Sequence, residues 1–381
     1  LVTLLGLLDL SAAFDTVDHE VLIQRLRTSF GITGIPLAWV ESFLTNRTQE
    51  VSFSGSRSVI GQLLSGVPQG SVLGPLLFLA YTAELFSIIA RHGFKAHSYA
   101  DDTQIYMSAP ANSAPDAARR FSDCVADVNT WMNRNRLKLN TDKTQIIWVG
   151  SRQQLAKLVS TDVTLGSTTV GSSTTVVDLG FHLDNHLTMT AHVAHLSRSC
   201  YFQLRQLRSV RRSLSTDATI SLIHAFVSSR LDYCNSLLYK ISDGLLVKLQ
   251  RIQNAAARLV TGVRRWEHIT PVLRRLHWLP VRSRIVFKIA TVVYKCLHGL
   301  APLYLARHCI PLTEVHGRGH LRSAAAHKLS EPRTHTKLAG SRLFSVCGPV
   351  VWNGLPERLR NHGLSLNAFR RELKTELFKE L

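Results

Sequence analysis

The chain has 381 residues, of which 45% are hydrophobic and 19% are charged. Such a composition is typical of globular proteins with a sizeable core, and it excludes wholesale disorder. Lysine and arginine number 45 against 26 acidic residues, a net charge of +19 that indicates a polyanionic partner, nucleic acid first and an anionic membrane second.

The hydrophobic pattern of the first 185 residues alternates between strands and helices. Leu1–Leu10 is short and almost wholly apolar, which is typical of a buried strand. The other predicted strands are Glu50–Phe53 and Ser58–Leu64 in a hairpin, two strands around Ala100–Asp102 within Phe94–Ser108, Lys143–Gly150 and Val176–Leu183. The predicted helices are Asp18–Phe30, Pro36–Leu44, Pro75–Arg91 and Asp116–Arg136. This interleaving predicts a mixed α+β fold.

After about residue 190 the pattern becomes helical and basic. Residues 1–150 hold 12 basic and 13 acidic residues, whereas residues 151–381 hold 33 and 13. The predicted helices are Val193–Leu214, Thr216–Leu238, Leu245–Thr261, Arg282–Leu297 and Leu364–Leu381, and Leu312–Gly340 is predicted as a loop. Arg205, Arg208 and Arg212 share one helix face, together with Arg211, and this face either contacts phosphates or is simply solvated.

Cysteine and histidine usage indicates compartment and metal content. The six cysteines lack paired spacing, which favours a reduced intracellular protein, expected in the cytoplasm and nucleus. A loose cluster of candidate ligands lacks the spacing of a structural zinc site, so zinc is not expected; its members are Cys296, His298, His308, Cys309, His316 and His320. The longest apolar runs, Leu1–Leu8 and Val72–Tyr81, are too short or too interrupted for a membrane span, so no membrane is expected as a partner.

Three aspartates stand at predicted strand ends: Asp9 and the doublet Asp101-Asp102. Converging carboxylates form a hard-oxygen site for Mg²⁺ that leaves room for substrate phosphates. With two ions bound, one can activate an attacking hydroxyl and the other can stabilise the leaving oxygen. An Asp-Asp pair also suits a plain hairpin turn, so these residues alone leave both interpretations open.

Several blocks of sequence supply the context for these acids. They are Leu7–His19, Ser65–Pro75, Tyr99–Asp102, Leu139–Thr144 and Leu179-Gly180-Phe181. In this order they resemble the catalytic and primer-grip motifs of reverse transcriptases, particularly those of non-LTR (LINE-type) retrotransposons of the jockey and chicken-repeat branches. The resemblance implies a polymerase palm, an antiparallel sheet with packed helices, with partial fingers in residues 1–190. A helical basic thumb-like region (191–300) and a C-terminal region (301–381) are expected to follow.

The resemblance also implies an activity and a role for each matched residue. It implies RNA-directed DNA synthesis on an RNA template from a DNA primer and dNTPs, with two Mg²⁺ ions for which Mn²⁺ is a possible substitute. Asp9, Asp101, Asp102 and the Leu10 carbonyl would bind the metals, and Lys143 would lie near the pyrophosphate. The implied nucleotide-binding residues are Phe14, as a steric gate against a ribose 2′-hydroxyl, Gln69, Gly70 and Tyr99. Gly180 would contact nucleic acid, and Gly66 and Gly70 would let the backbone approach the substrate.

Some features depart from the family pattern. The motif blocks expected before Asp9 are absent, which favours an N-terminally truncated fragment. Gly6 in the first strand and Glu84 in the Pro75 helix are unusual for their places. The alternative function is therefore a catalytically dead remnant that at most binds nucleic acid.

Overall fold

The chain divides into two units, Leu1–Leu187 and Thr188–Leu381. The computed structural model describes residues 1–158, 162–165, 168–315, 326–334, 340–361 and 363–379. His316, His320, much of the predicted loop Leu312–Gly340 and the end of the predicted terminal helix lie outside these ranges. The α+β class predicted for the first part is confirmed, whereas a boundary at residue 300 stays a prediction.

The first unit contains both strands and helices. Its strands are β1 (Val2–Ser11), β2 (Arg47–Gln49), β3 (Ser52–Phe53), β4 (Ser56–Arg57), β5 (Gly61–Leu63), β6 (Lys95–Tyr99), β7 (Asp102–Ala109), β8 (Lys138–Val149), β9 (Val163–Leu165), β10 (Thr168–Val170), β11 (Thr175–Asp178) and β12 (Phe181–Asp184). Its helices are α1 (His19–Thr28), α2 (Gly34–Leu44), α3 (Leu73–Thr82), α4 (Leu85–Arg91), α5 (Ala114–Arg134) and α6 (Arg152–Leu155).

An antiparallel sheet of four strands, in the order β6-β7-β1-β8, is the centre of this unit. The nearly uninterrupted apolar sequence of β1 fits its central position, because both faces of this strand are covered. On one face Leu4 and Leu8 pack with Ile105 and with Phe121 of α5. On the other face Leu7 and Ile147 cluster with Val176 of β11.

The predicted single strand Val176–Leu183 is wrong, because this segment forms the hairpin β11–β12. Leu179 and Gly180 have φ angles of 46° and 78° and connect the two strands. A two-residue turn with positive φ at both positions matches the right-handed twist of its strands. The apolar pattern continues through both strands, so periodicity alone did not reveal the turn.

A continuous apolar helical stretch, Leu73–Arg91, contains α3 and α4 and includes the predicted helix Pro75–Arg91. By length and composition it is the one helix in the described residues that could cross a membrane. Phe78, Tyr81 and Ile89 are fully buried in the core of the first unit. This stretch therefore serves as a core helix of the unit.

The two unusual residues noted in the sequence have structural roles. A Cβ at Gly6 would lie 2.2 Å from Cζ of Phe121, so the central strand needs glycine here for the ring to pack. Glu84 accepts hydrogen bonds from Arg25 Nη2 (2.9 Å) and Trp131 Nε1 (3.2 Å). Because Arg25 is buried, this carboxylate partly neutralises a charge inside the unit.

The second unit is helical in its described part. Its helices are α7 (Thr190–Val210), α8 (Thr216–Ile223), α9 (Ser229–Asp232), α10 (Asp243–Thr261), α11 (Thr270–Arg275), α12 (Val281–Leu297) and α13 (Leu303–Ala306), followed by Phe344–Asn353, Glu357–Arg360 and Leu366–Lys379. The predicted helix Thr216–Leu238 is wrong after Asp232, because Cys234 takes a left-handed conformation (φ 50°) that interrupts it. A short 3₁₀ turn, Asn235–Leu238, follows.

Candidate active site

The predicted acids lie at one end of the two central strands. Leu8 of β1 pairs with Thr103 of β7, so the next residues along, Asp9 and Asp102, are level with each other. Ala100 and Asp101 form the turn between β6 and β7, and Ala100 takes a left-handed conformation with φ 56°. A non-glycine residue held in this conformation is costly, and such strain is common at functional sites.

The carboxylates lie close enough to one another to interact electrostatically. Partial burial, followed by the negative charges of Asp101, Asp9 and Asp178, raises the pKa of Asp102 above its ordinary value. Oδ2 of Asp9 is buried and has no hydrogen-bond partner, an arrangement that fits a cation. Within the described part of the chain, however, no three His, Cys, Asp or Glu side chains are already gathered as a metal centre.

Lys143 lies against Asp9, with 3.6 Å between Nζ and Oδ2. A bulge in β8 brings Lys143 close to Asp9. Gln145 pairs with Leu7 and Asn140 pairs with Asp9, so residues 141–144 of β8 lie opposite a single residue of β1, Leu8. The Asn140 side-chain oxygen accepts a hydrogen bond from the Lys143 amide (3.3 Å), and the main-chain carbonyl of Asn140 accepts one from Thr144 Oγ1 (2.9 Å). The sequence block containing Asn140 and Lys143 therefore forms the bulge itself.

A cleft of about 420 Å³ adjoins the acids. It is lined by Ala12, Ala13, Phe14, Pro68, Gln69, Gly70, Pro75 and Asp101. The half-buried ring of Phe14 stacks on Phe78, with 4.7 Å between centroids, which fixes its position. Gln69 Nε2 donates to Asp15 Oδ1 (3.0 Å), and Gly70 has φ 79° with open space beside its Cα. Three of the predicted nucleotide-binding residues thus line one cleft.

Gly66, in contrast, packs against the protein's own chain. A Cβ there would lie 3.0 Å from the carbonyl oxygen of Asp15, and its φ is 90°. Its amide donates to the Val17 carbonyl (2.8 Å), and its carbonyl lies 2.8 Å from His19 Nε2. In the structure Gly66 fastens the loop after β5 onto the loop after β1, and its role of leaving room for substrate stays a prediction.

The remaining residues predicted for this site are spread around the acids. Tyr99 is 71% exposed at the end of β6, whereas the Leu10 side chain is buried in the core. Gly180 lies in the β11–β12 turn with nothing close to its Cα. The residue before this turn, Asp178, accepts two hydrogen bonds from Gln104 Nε2 (2.8 and 2.9 Å). Neither Asp178 nor Gln104 was predicted, and only the position of Asp178 beside Leu179-Gly180 could have drawn attention to it.

In the second unit, Arg205, Arg208 and Arg212 are exposed along α7 and the turn that follows it. None of them forms an ion pair within the described residues, whereas the exposed Arg119 and Arg282 each pair with an aspartate. The predicted place of Arg211 on this face is wrong. Its guanidinium donates to the Leu214, Leu259 and Val260 carbonyls, and thereby binds the C-terminal end of α10.

Two cysteines of the candidate zinc cluster are deeply buried. Burial raises the pKa of Cys309 to about 12, and burial also raises the pKa of Cys296. His316 and His320 lie outside the described residues.

An antiparallel sheet backed by helices, with acids at the end of its central strands and a cleft beside them, defines the first unit as a polymerase palm with partial fingers. Residues 2–183 match the family model described as "Reverse transcriptase (RNA-dependent DNA polymerase)". The first unit is therefore similar to reverse transcriptase domains over nearly its whole length, and its curated relatives resemble it as polymerases of LINE-type transposons.

Curated relatives extend the similarity beyond the palm. The chain is 29% identical over 295 residues to "Probable RNA-directed DNA polymerase from transposon BS" of Drosophila melanogaster, covering 73% of this chain and 31% of the relative. It is 24% identical over 265 residues to the RNA-directed DNA polymerase from mobile element jockey of the same species, covering 67% and 28%. The chain thus spans less than a third of the length of these relatives.

Among solved structures, apo telomerase from Candida tropicalis is similar at 12% identity and a TM-score of 0.38, covering 74% of this chain and 47% of that one. The telomerase of the same species in complex with a fragment of telomeric RNA is similar at 12% identity and a TM-score of 0.37, covering 75% and 47%.

Proposed function

We propose that this chain carries out RNA-directed DNA synthesis, in which the primer 3′-hydroxyl attacks the α-phosphate of a dNTP and pyrophosphate leaves. The observation that carries the proposal is the level placement of Asp9 and Asp102, next to Asp101, which lines the same cleft as Phe14 and Gln69. The proposed partners are an RNA template, a DNA primer and dNTPs. The proposal involves neither a membrane nor zinc, and it places the protein in the cytoplasm and nucleus.

Divalent metal ions are general in the reverse transcriptase family, and we propose Mg²⁺, with Mn²⁺ as a substitute. Asp9, Asp101, Asp102 and the Leu10 carbonyl would hold two ions. The buried Oδ2 of Asp9, which has no hydrogen bond and lies 3.6 Å from Lys143 Nζ, and the raised pKa of Asp102 support this assignment, because both favour a neighbouring cation. When bound, such ions activate the attacking hydroxyl and stabilise the charge on the leaving oxygen.

The chain's own residues orient the substrates around these acids. The ring of Phe14, fixed on Phe78, would close the space that a ribose 2′-hydroxyl needs. Gln69, held by Asp15, would lie against the base pair that forms. The Lys143 side chain is 70% exposed, so it would be able to leave Asp9 and to neutralise the pyrophosphate. The bulge held by Asn140 gives Lys143 this reach.

One face of α7 supports nucleic acid as the partner. Between Thr188 and Thr216 the sequence has five arginines and no acidic residue. Tyr201 (41% exposed) and Phe202 (49% exposed) lie on the same face as Arg205 and Arg208. Arginines with interleaved aromatic rings bind phosphates and stack on bases without reading sequence. Gly180 is proposed as a further nucleic-acid contact, at the turn beside the acids.

Primer extension on a poly(rA) template with oligo(dT), dTTP and Mg²⁺ tests the proposed activity. The wild-type protein is expected to incorporate nucleotide, and Asp101→Asn and Asp102→Asn to lose at least about a hundredfold in rate. Asp123→Asn removes an exposed acid of α5 and serves as the matched control, expected to keep full activity.

The alternative function, a nucleic-acid binder without catalysis, gives a different result in the same experiment. It predicts salt-sensitive binding of the template–primer with no incorporation under Mg²⁺ or Mn²⁺. Under both functions, Arg205→Ala with Arg208→Ala is expected to lower the slope of log affinity against log salt by about two. An unchanged slope would remove α7 from the nucleic-acid interface.

A further inference from the structure

A row of three residues crosses the central sheet just behind the acids. Leu7 of β1 pairs with Gln104 of β7 on one side and with Gln145 of β8 on the other. Side chains two apart on a strand share a face, so Leu7 lies on the face of Asp9, and Gln104 on the face of Asp102. Both glutamines therefore belong to the face on which the hairpin β11–β12 packs.

Each glutamine holds one of the last two residues of β11. Gln104 Nε2 donates to both carboxylate oxygens of Asp178, at 2.8 and 2.9 Å. Gln145 Oε1 accepts a hydrogen bond from the Val177 amide, at 3.2 Å. These two contacts grip the hairpin from both sides of β1, immediately before the turn at Leu179 and Gly180.

The two polar contacts fix the position of the hairpin along the strand direction, which the apolar packing beneath the hairpin does not. Val176 packs on Leu7 and Ile147, and such contact is favourable but has no preferred direction along the strand. Hydrogen bonds to a charged acceptor are strong and directional. The two glutamines consequently fix how far the turn reaches along the sheet.

The grip lies close to the acids. Gln104 and Asp102 are two residues apart on one strand, a separation of roughly 7 Å. A shift of the hairpin by one residue would therefore move its turn by about 3 Å relative to the carboxylates.

We propose that Gln104 and Gln145 are positioning residues, which hold the Leu179–Gly180 turn at a fixed distance from Asp9 and Asp102 and thereby set where the primer 3′ end lies. This inference rests on the proposed function and names a device within that site. It assigns no chemical step to either glutamine, since neither one touches the reacting atoms.

Single-turnover nucleotide incorporation tests whether Gln104 holds the hairpin through Asp178. The variants exchange the neutral and the charged partner of this contact. Gln104→Glu places a carboxylate against Asp178 and should break the contact. A misplacement of about 1 Å can cost up to a hundredfold in rate, so we expect a ten- to hundredfold fall in the incorporation rate. The KM for dNTP and the Kd for template–primer should stay within about twofold. Gln104→Glu with Asp178→Asn restores a donor–acceptor pair and the original net charge, and should recover most of the rate.

Gln24→Glu, on the exposed surface of α1, is the matched control and should change nothing. Equal losses in Kd and rate, or a double variant no better than Gln104→Glu, would overturn the proposal. Either result would mean that Gln104 only stabilises the fold or binds substrate in another way.

Hydrogen exchange provides a readout that needs no activity. Amides of residues 175–184 should exchange faster in Gln104→Glu and in Gln145→Ala, and the swap variant should return to the wild-type pattern. Unchanged amide hydrogen exchange in both single variants would show that neither glutamine holds the β11–β12 hairpin and would overturn the proposal. If the wild-type protein incorporates no nucleotide, the proposed function fails, while the exchange pattern still decides whether the glutamines hold the turn.

Discussion

Replacing Gly6 with alanine is expected to destabilise the first unit through a single methyl group. The new Cβ would lie 2.2 Å from Phe121 Cζ, where ordinary contact begins near 3.4 Å, so the ring must move by roughly 1 Å. Phe121 is fully buried and packs edge-on against Phe94, so it has little room. Overpacking costs about 3 kcal/mol in such a place. The lower chain entropy of alanine offsets about 1 kcal/mol of this.

The net loss is therefore about 2 kcal/mol, or a fall of about 4–8 °C in the Tm of this unit. Urea denaturation, with hydrogen exchange of β1 to identify the unit that unfolds, measures it. Gly61→Ala is the matched control: it has no neighbour closer than 4.0 Å and should be neutral or slightly stabilising. Gly6→Ala with Phe121→Leu should show a coupling of about 1–2 kcal/mol. A stable Gly6→Ala protein, or the absence of coupling, would refute the packing argument.

Three further variants probe charge and position. Asp102→Asn should raise the Tm slightly at pH 7 without metal, because the fold raises the pKa of Asp102 and so disfavours its ionised form, an effect that solvent screening keeps small at this exposed side chain. That gain should shrink as the pH falls through the raised pKa and vanish below the ordinary value of 3.8, which thermal melts at several pH values would reveal. Asn140→Ala should slow incorporation about tenfold without changing the Tm, because the bulge no longer fixes Lys143; an unchanged rate would contradict this. Arg25→Lys should cost about 2–4 kcal/mol in urea denaturation, since lysine lacks the fork in which Nη1 donates to the Tyr81 carbonyl while Nη2 donates to Glu84 and Asn135, and a cost below 1 kcal/mol would show that the fork is dispensable.

Local pattern was sufficient to predict much of the palm from sequence. The apolar run of β1 and the turn signal at Ala100–Asp102 each depend on neighbouring residues. Helix α1 begins where its cap predicts, because Asp18 accepts a hydrogen bond from the Val21 amide at 3.0 Å. These elements also carry the acids, so the end of the sheet where the acids lie could be predicted as well.

Contacts between distant segments could not be predicted in the same way. Gln104 and Asp178 are 74 residues apart, and no periodicity in either segment indicates that they meet. Arg211 has the spacing of an exposed helical arginine, yet it bonds the end of α10, which only tertiary packing determines. The β11–β12 turn was missed for a local reason, since Leu179 is an unusual residue for a left-handed conformation.

Because of the bulge in β8, strand β1 is paired differently with its two neighbouring strands. On the β7 side the ladder is regular through Leu8 and ties the level of Asp9 to that of Asp102. On the β8 side, residues 141–144 lie between the pairs at Leu7 and Asp9, and Asn140 holds them through the Lys143 amide and Thr144 Oγ1. The register of β8 opposite the acids therefore depends on the contacts of one side chain, Asn140, whereas the register of β7 depends on the strand ladder alone.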